Sequence, residues 1–195
     1  MRTLAVTLLL LGFGLVPRPA AAQWGLSAEI GVARFGGTSR DTSGAKVAPY
    51  RPTTFALRLD RAWGSTRVEL GVLYAKTGFA GEQDNLAIVQ YDAGSFWELA
   101  PGASVRLARF GAGVEARLEA GPSVDFWTVD GDKRTRVGGR AAAAFEWPIA
   151  RALTGSFRVS GVLTSSVFDP AEVPAGVERL ATRRVAVAIG LRYGL

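Results

Sequence analysis

The C-terminal segment constrains this chain most. Val185, Val187, Ile189, Leu191, Tyr193 and Leu195 share one parity; Arg184, Ala186, Ala188, Gly190 and Arg192 share the other. A strand points successive side chains to opposite faces, so a strict period of two builds one continuous apolar face. A helix would mix the two sets within a turn.

Seven earlier segments carry the same period. Their apolar parities run from Trp24 to Val32, Phe55 to Leu59, Val68 to Tyr74, Val89 to Leu107, Val114 to Phe126, Val137 to Trp147 and Leu153 to Leu163. The connections alternate in length. Residues 35–52, 77–85 and 168–182 read as long polar loops, 63–66, 108–110 and 148–151 as tight turns, and 129–133 as intermediate. Eight strands joined long, short, long, short predict an all-β fold: an eight-stranded antiparallel up-and-down transmembrane β-barrel, with its short turns and both termini on the periplasmic side.

The N-terminus reads as an export signal. Arg2 precedes an uncharged, Leu-rich stretch from Leu4 to Val16, and Ala20-Ala21-Ala22 follows. Thirteen residues are too few to span hydrocarbon as a helix, so residues 1–22 are expected to be a cleaved signal peptide and 23–195 the barrel domain.

Composition excludes most chemistry. The chain has no Cys and no His, which removes disulfides, thiolate nucleophiles, the usual general base and the commonest metal ligand. No phosphate-binding loop, zinc motif or EF-hand loop occurs. Asp130-Gly131-Asp132 suits a hairpin turn better than a Ca²⁺ site. Glu115 and Glu119 lie four residues apart, about 13 Å along a strand, too far for a glycosidase pair. The expectation is therefore no enzyme and no cofactor.

Two barrels fit the pattern, and they differ in which face is outside. A lipocalin-like soluble carrier points its apolar face inward; an outer-membrane barrel points it at lipid. Trp24, Trp63, Phe110, Trp147 and Tyr193 all lie next to the chain start, the short turns or the chain end, on the apolar parity, as an interfacial aromatic girdle would. Phe55, Tyr74 and Phe126 supply a sparser second girdle. The polar parity carries nine arginines (58, 67, 106, 117, 136, 140, 158, 184 and 192) and eight carboxylates (Glu29, Asp60, Glu69, Glu98, Glu115, Glu119, Asp125 and Glu146). Only 3 of the 23 basic residues are Lys. Arginine suits confined bidentate pairs. An eight-stranded interior is just wide enough for side chains to fill. A lumen network is expected from Glu98, Arg106, Glu115, Arg117, Glu119, Arg136 and Arg140, centred on Glu115, Arg117 and Glu119.

Phe96-Trp97-Glu98-Leu99-Ala100-Pro101, Val105-Arg106-Leu107 and Leu118-Glu119-Ala120-Gly121-Pro122 resemble the fourth and fifth strands of the small outer-membrane β-barrel families, OmpA/OmpX-like and PorT-like. The resemblance covers nearly all of residues 23–195 in pattern more than identity. It departs from the family at Ala100, an extra residue before the Pro, and at Leu195, where Phe is usual. It implies an outer-membrane location, contact with membrane lipid and delivery by the barrel assembly machinery through the C-terminal strand. A peptidoglycan-binding domain like that of full-length OmpA-type proteins is not expected after the barrel. A monomer without nucleic-acid partners is expected. Three functions stay open: a structural or surface-interaction barrel with a plugged lumen, a narrow pore or hydrophobic-molecule channel, and a soluble lipocalin-like carrier.

Overall fold

The computed structural model describes residues 23–36, 39–40, 46–50, 52–83, 86–129, 131–167 and 178–195. The expected signal peptide and Asp130 lie outside the described residues. Eight strands form the wall: β1 (Gln23–Gly36), β2 (Thr53–Trp63), β3 (Thr66–Gln83), β4 (Leu86–Phe110), β5 (Val114–Val129), β6 (Asp132–Ala150), β7 (Leu153–Thr164) and β8 (Thr182–Gly194). Each pairs antiparallel with its neighbour in sequence, and β1 also pairs with β8, so the sheet closes. Closure leaves no free edge along the wall.

One row of paired residues measures the barrel. Trp24 faces Arg61, then Val68, Ala103, Ala120, Ala141, Gly161 and Val185 follow, and the row re-enters β1 at Arg34. From Trp24 to Arg34 is a stagger of ten residues. With eight strands at ordinary spacings this stagger tilts the strands by about 40°. Ten residues so tilted climb about 25 Å, the height of a lipid-facing apolar band.

The apolar parity faces out. Val32, Leu57, Leu107, Val137 and Ile189 are exposed, while Glu29, Arg58, Glu98, Arg117 and Arg184 on the other parity are buried. That orientation corrects the lipocalin-like alternative, which needs the apolar face inside. The physical reason is room: an eight-stranded interior takes the small residues, with Gly, Ala and Ser making space for the long charged ones.

The tight turns lie at one end. Gly64 turns β2 into β3 at φ 60°, a left-handed conformation that glycine adopts without steric cost. The 108–110 and 148–151 turns are displaced by a few residues, because β4 runs to Phe110 and β6 to Ala150. The loop expected at 77–85 is corrected more substantially. β3 continues to Gln83, and Gln83 pairs with Leu86. Lys46–Tyr50 adds a further strand along Gly78–Glu82, and Ser39–Arg40 and Glu178–Arg179 extend the sheet beyond it. Beyond an apolar band neither face of a strand has to be apolar, so the alternation fades while the hydrogen-bond ladder goes on.

The face assignment has a direct test. Ile189→Arg puts a charge on the outer face and should cost about 2–4 kcal/mol of stability in bilayers. Ala188→Ser on the inner face should stay within about 0.5 kcal/mol. Urea titration of the two variants refolded into lipid vesicles measures both. Equal stabilities, or a more sensitive Ala188, would invert the faces.

Candidate functional site

With the apolar parity outside, every inward position must be filled by the other set. Alternation supplies charges at intervals along each strand, and the stagger brings charges from different strands to one level. Six of them make a closed circuit across the lumen. Glu29 accepts from Arg58 Nε at 3.1 Å and from Arg158 Nε at 2.9 Å. Arg58 reaches Glu69 at 3.9 Å, Glu69 meets Arg140 at 3.9 Å, and Arg140 lies 3.6 Å from Glu119. Glu119 pairs with Arg158, which closes the ring. Carboxylate and guanidinium alternate all the way round, contributed by β1, β2, β3, β6, β5 and β7. The side chains of all six are at most 7% exposed.

Small residues make room for them. A Cβ at Gly71 would come 3.0 Å from Arg58 Nη1, and one at Gly190 would come 2.6 Å from Glu29 Cγ. Gly71 and Gly190 are spaces for the ring's long side chains.

Towards the tight turns two smaller clusters follow. Arg192 holds Asp60 with two hydrogen bonds, at 2.8 and 2.7 Å, and Arg67 links Asp60 at 3.9 Å to Glu146 at 2.7 Å. The paired fork on Asp60 is the geometry for which arginine is suited. Beside it Glu115 gathers Arg106 at 2.9 Å, Arg109 at 3.1 Å and Arg117 at 3.3 Å. Arg117 also donates to Ser65 O at 3.0 Å and reaches Ser104 Oγ.

Towards the long-loop end, Arg140 leads at 3.7 Å to Glu98, which pairs with Arg184. Arg184 lies 4.0 Å from Asp125, which accepts a hydrogen bond from Ser123 at 3.0 Å. The same guanidinium stands 5.0 Å from the Phe96 ring centre and 5.9 Å from that of Phe35. Those rings belong to an apolar cluster inside the barrel: Phe35, Phe96 and Trp127 with Ala33, Ala75, Val129, Val167 and Ala186. Phe96 stacks on Trp127 at 4.7 Å, and Phe35 meets both edge-on. The lumen thus changes along its length from charge clusters to an aromatic layer.

The seven residues expected to form the network divide. Glu98, Glu119 and Arg140 come together around the ring, whereas Arg106, Glu115 and Arg117 form a separate cluster nearer the turns. Glu119 meets Arg158 and Arg140, while Arg117 is occupied by Glu115 and Ser104. The expected centre on Glu115, Arg117 and Glu119 is corrected accordingly: four residues along a tilted strand put Glu115 and Glu119 in different tiers. Arg136 lies apart, donating to Ser166 O at 2.5 Å and Val167 O at 2.9 Å. Sequence reasoning left Glu29, Arg58, Glu69, Arg158 and Arg184 out of the network, although their parity had put them on the correct face. It missed the inner aromatic layer. The signal for it was two adjacent aromatic pairs, Phe96-Trp97 and Phe126-Trp127, each of which has to turn one ring inward.

On the outside, Trp24, Phe110, Trp147 and Tyr193 are exposed at the tight-turn end, and Trp63 is half-buried there. Trp147 lies over Gly155, its cross-strand partner, where a Cβ would run into the ring. At the other end Phe55, Tyr74, Trp97 and Phe126 are consecutive partners across four strands, with Tyr74 and Trp97 centred 4.6 Å apart.

The wall and its contents define the class: a small transmembrane β-barrel of eight strands. No protein-family model and no curated relative matches the sequence. The fold is similar to that of Neisserial surface protein A, with a TM-score of 0.59 and 11% identity, over 89% of this chain and 99% of that one. It is also similar to the outer membrane protein OprG from Pseudomonas aeruginosa, with a TM-score of 0.59 and 11% identity, over 91% and 97% of the two chains.

Breaking the circuit should cost more than breaking a surface pair. Glu29→Ala leaves Arg58 and Arg158 buried beside a gap and should lower stability by about 3–5 kcal/mol. Asp132→Ala removes an exposed partner of Arg134 and should cost less than about 1 kcal/mol. Denaturant unfolding in vesicles compares them, and equal losses would deny the circuit its structural weight.

Proposed function

We propose that this chain is a non-enzymatic protein of the bacterial outer membrane, with a structural or surface-interaction role and a lumen closed to ions by its own side chains. Residues 1–22 are its export signal, and the mature barrel begins at Gln23. One observation carries the reading: the apolar face points outward and is bordered by aromatic side chains at both ends. Lipid solvates such a surface and water does not. Trp24, Trp63, Phe110, Trp147 and Tyr193 serve in this reading as the periplasmic girdle, and the row from Phe55 to Phe126 as the outer one.

The same reading explains the interior. Each of the eight inward carboxylates has at least one arginine within 4.0 Å. Confined charges without partners cost several kcal/mol, so near balance is what a filled lumen requires. The similarity to Neisserial surface protein A and OprG supports the location by analogy of fold. Delivery through the C-terminal strand to the barrel assembly machinery belongs to the same reading.

Cell fractionation tests it. The mature protein should travel with the outer membrane, require detergent for extraction and run faster on a gel unheated than boiled. A monodisperse, folded, β-rich protein in plain buffer would contradict the proposal.

A further inference from the structure

Arg34 and Arg183, on the outer face, belong to none of the networks described above. Arg34 is the last outward residue of β1 before Gly36, and Arg183 is the first of β8. Arg34 faces Val185 in the register, so Arg183 is its diagonal neighbour. Diagonal side chains on paired strands start about 7–8 Å apart, within reach of one common anion for two arginines. Both are exposed, and neither has a partner among the described residues. No outward position of β1 or β8 is acidic.

Directly below them is a groove of about 350 Å³ lined by Val32, Ala33, Arg34, Val185 and Val187. It runs along the seam where the first and last strands meet. Its lining is apolar apart from Arg34 and continuous with the lipid-facing band, and Arg183 lies two residues beyond Val185 on the same face of β8. Arg34 stands ten residues, about 25 Å of climb, above Trp24 at the tight-turn end. That height is the headgroup level of the opposite leaflet.

We propose that the β1–β8 seam binds one phosphate-bearing lipid of the outer leaflet, its phosphate held by Arg34 and Arg183 and an acyl chain lying against Val32, Val185 and Val187. Guanidinium groups bind phosphate oxygens with paired charge-assisted hydrogen bonds, and two of them suit a dianionic headgroup better than a zwitterion. Charge complementarity selects the headgroup, and the apolar groove distinguishes a lipid from a free anion. The proposal rests on the outer-membrane reading, which places this end of the barrel outward.

The test uses the full mature barrel refolded into phosphatidylcholine vesicles with and without a minority of phosphatidic acid. After extraction in mild detergent, native mass spectrometry counts the phosphatidic acid retained per barrel. The wild type should keep one such lipid, and Arg34→Gln/Arg183→Gln should lose about tenfold of that retention while folding equally well on a heat-shift gel. Arg61→Gln, an outward arginine at the other end, should leave retention unchanged. Equal retention by the wild type and the double variant would overturn the site alone. Displacement of the lipid by inorganic phosphate at similar concentration would also overturn it, by showing a free-anion site. A wild type that fails to insert into vesicles would overturn the outer-membrane reading and this site with it.

Discussion

Removing a charge from water without a partner is the cost around which this molecule is organised. Most of its large apolar residues face outward, so an apolar core occupies only the long-loop end of the described barrel. At mid-height the interior holds instead the alternating circuit of Glu29, Arg58, Glu69, Arg140, Glu119 and Arg158. Each member faces two opposite charges, so none bears its desolvation alone. Arginine is the suitable cation, because its planar fork serves two carboxylates at once and stays ionised. The near absence of Lys follows from the same requirement.

The circuit also explains which residues are small. Gly71 and Gly190 stand where a Cβ would press on Arg58 or Glu29. Six strands contribute one charge each, so the ring ties the wall across its diameter as well as around its circumference. Above it, Arg184 joins the ionic part of the lumen to the aromatic layer by pairing with Glu98 and facing Phe96. Apolar side chains pack against one another inside the barrel at that level, around Phe35, Phe96 and Trp127.

Much of this was legible in the sequence, for a physical reason. The two-residue period is a property of each strand alone, so the face of every inward charge could be read without knowing the fold. The same holds for the aromatics beside the tight turns. Partnership could not be read that way. It depends on the stagger between strands, which no single segment encodes; Glu115 and Glu119 share a strand and a face, yet they belong to different clusters. The inner rings of Phe96 and Trp127 were hidden by their neighbours Trp97 and Phe126, which fit the apolar parity. The extension of β3 and β4 was hidden because the period disappears where neither face has to be apolar.

The proposed filling of the lumen by paired side chains leaves no path for ions. Planar-bilayer recording of the purified wild-type barrel is the decisive experiment. A filled lumen should give no steady conductance above the bare bilayer, at low and at high salt. A large, steady single-channel conductance would contradict it and show a water-filled path past the ring.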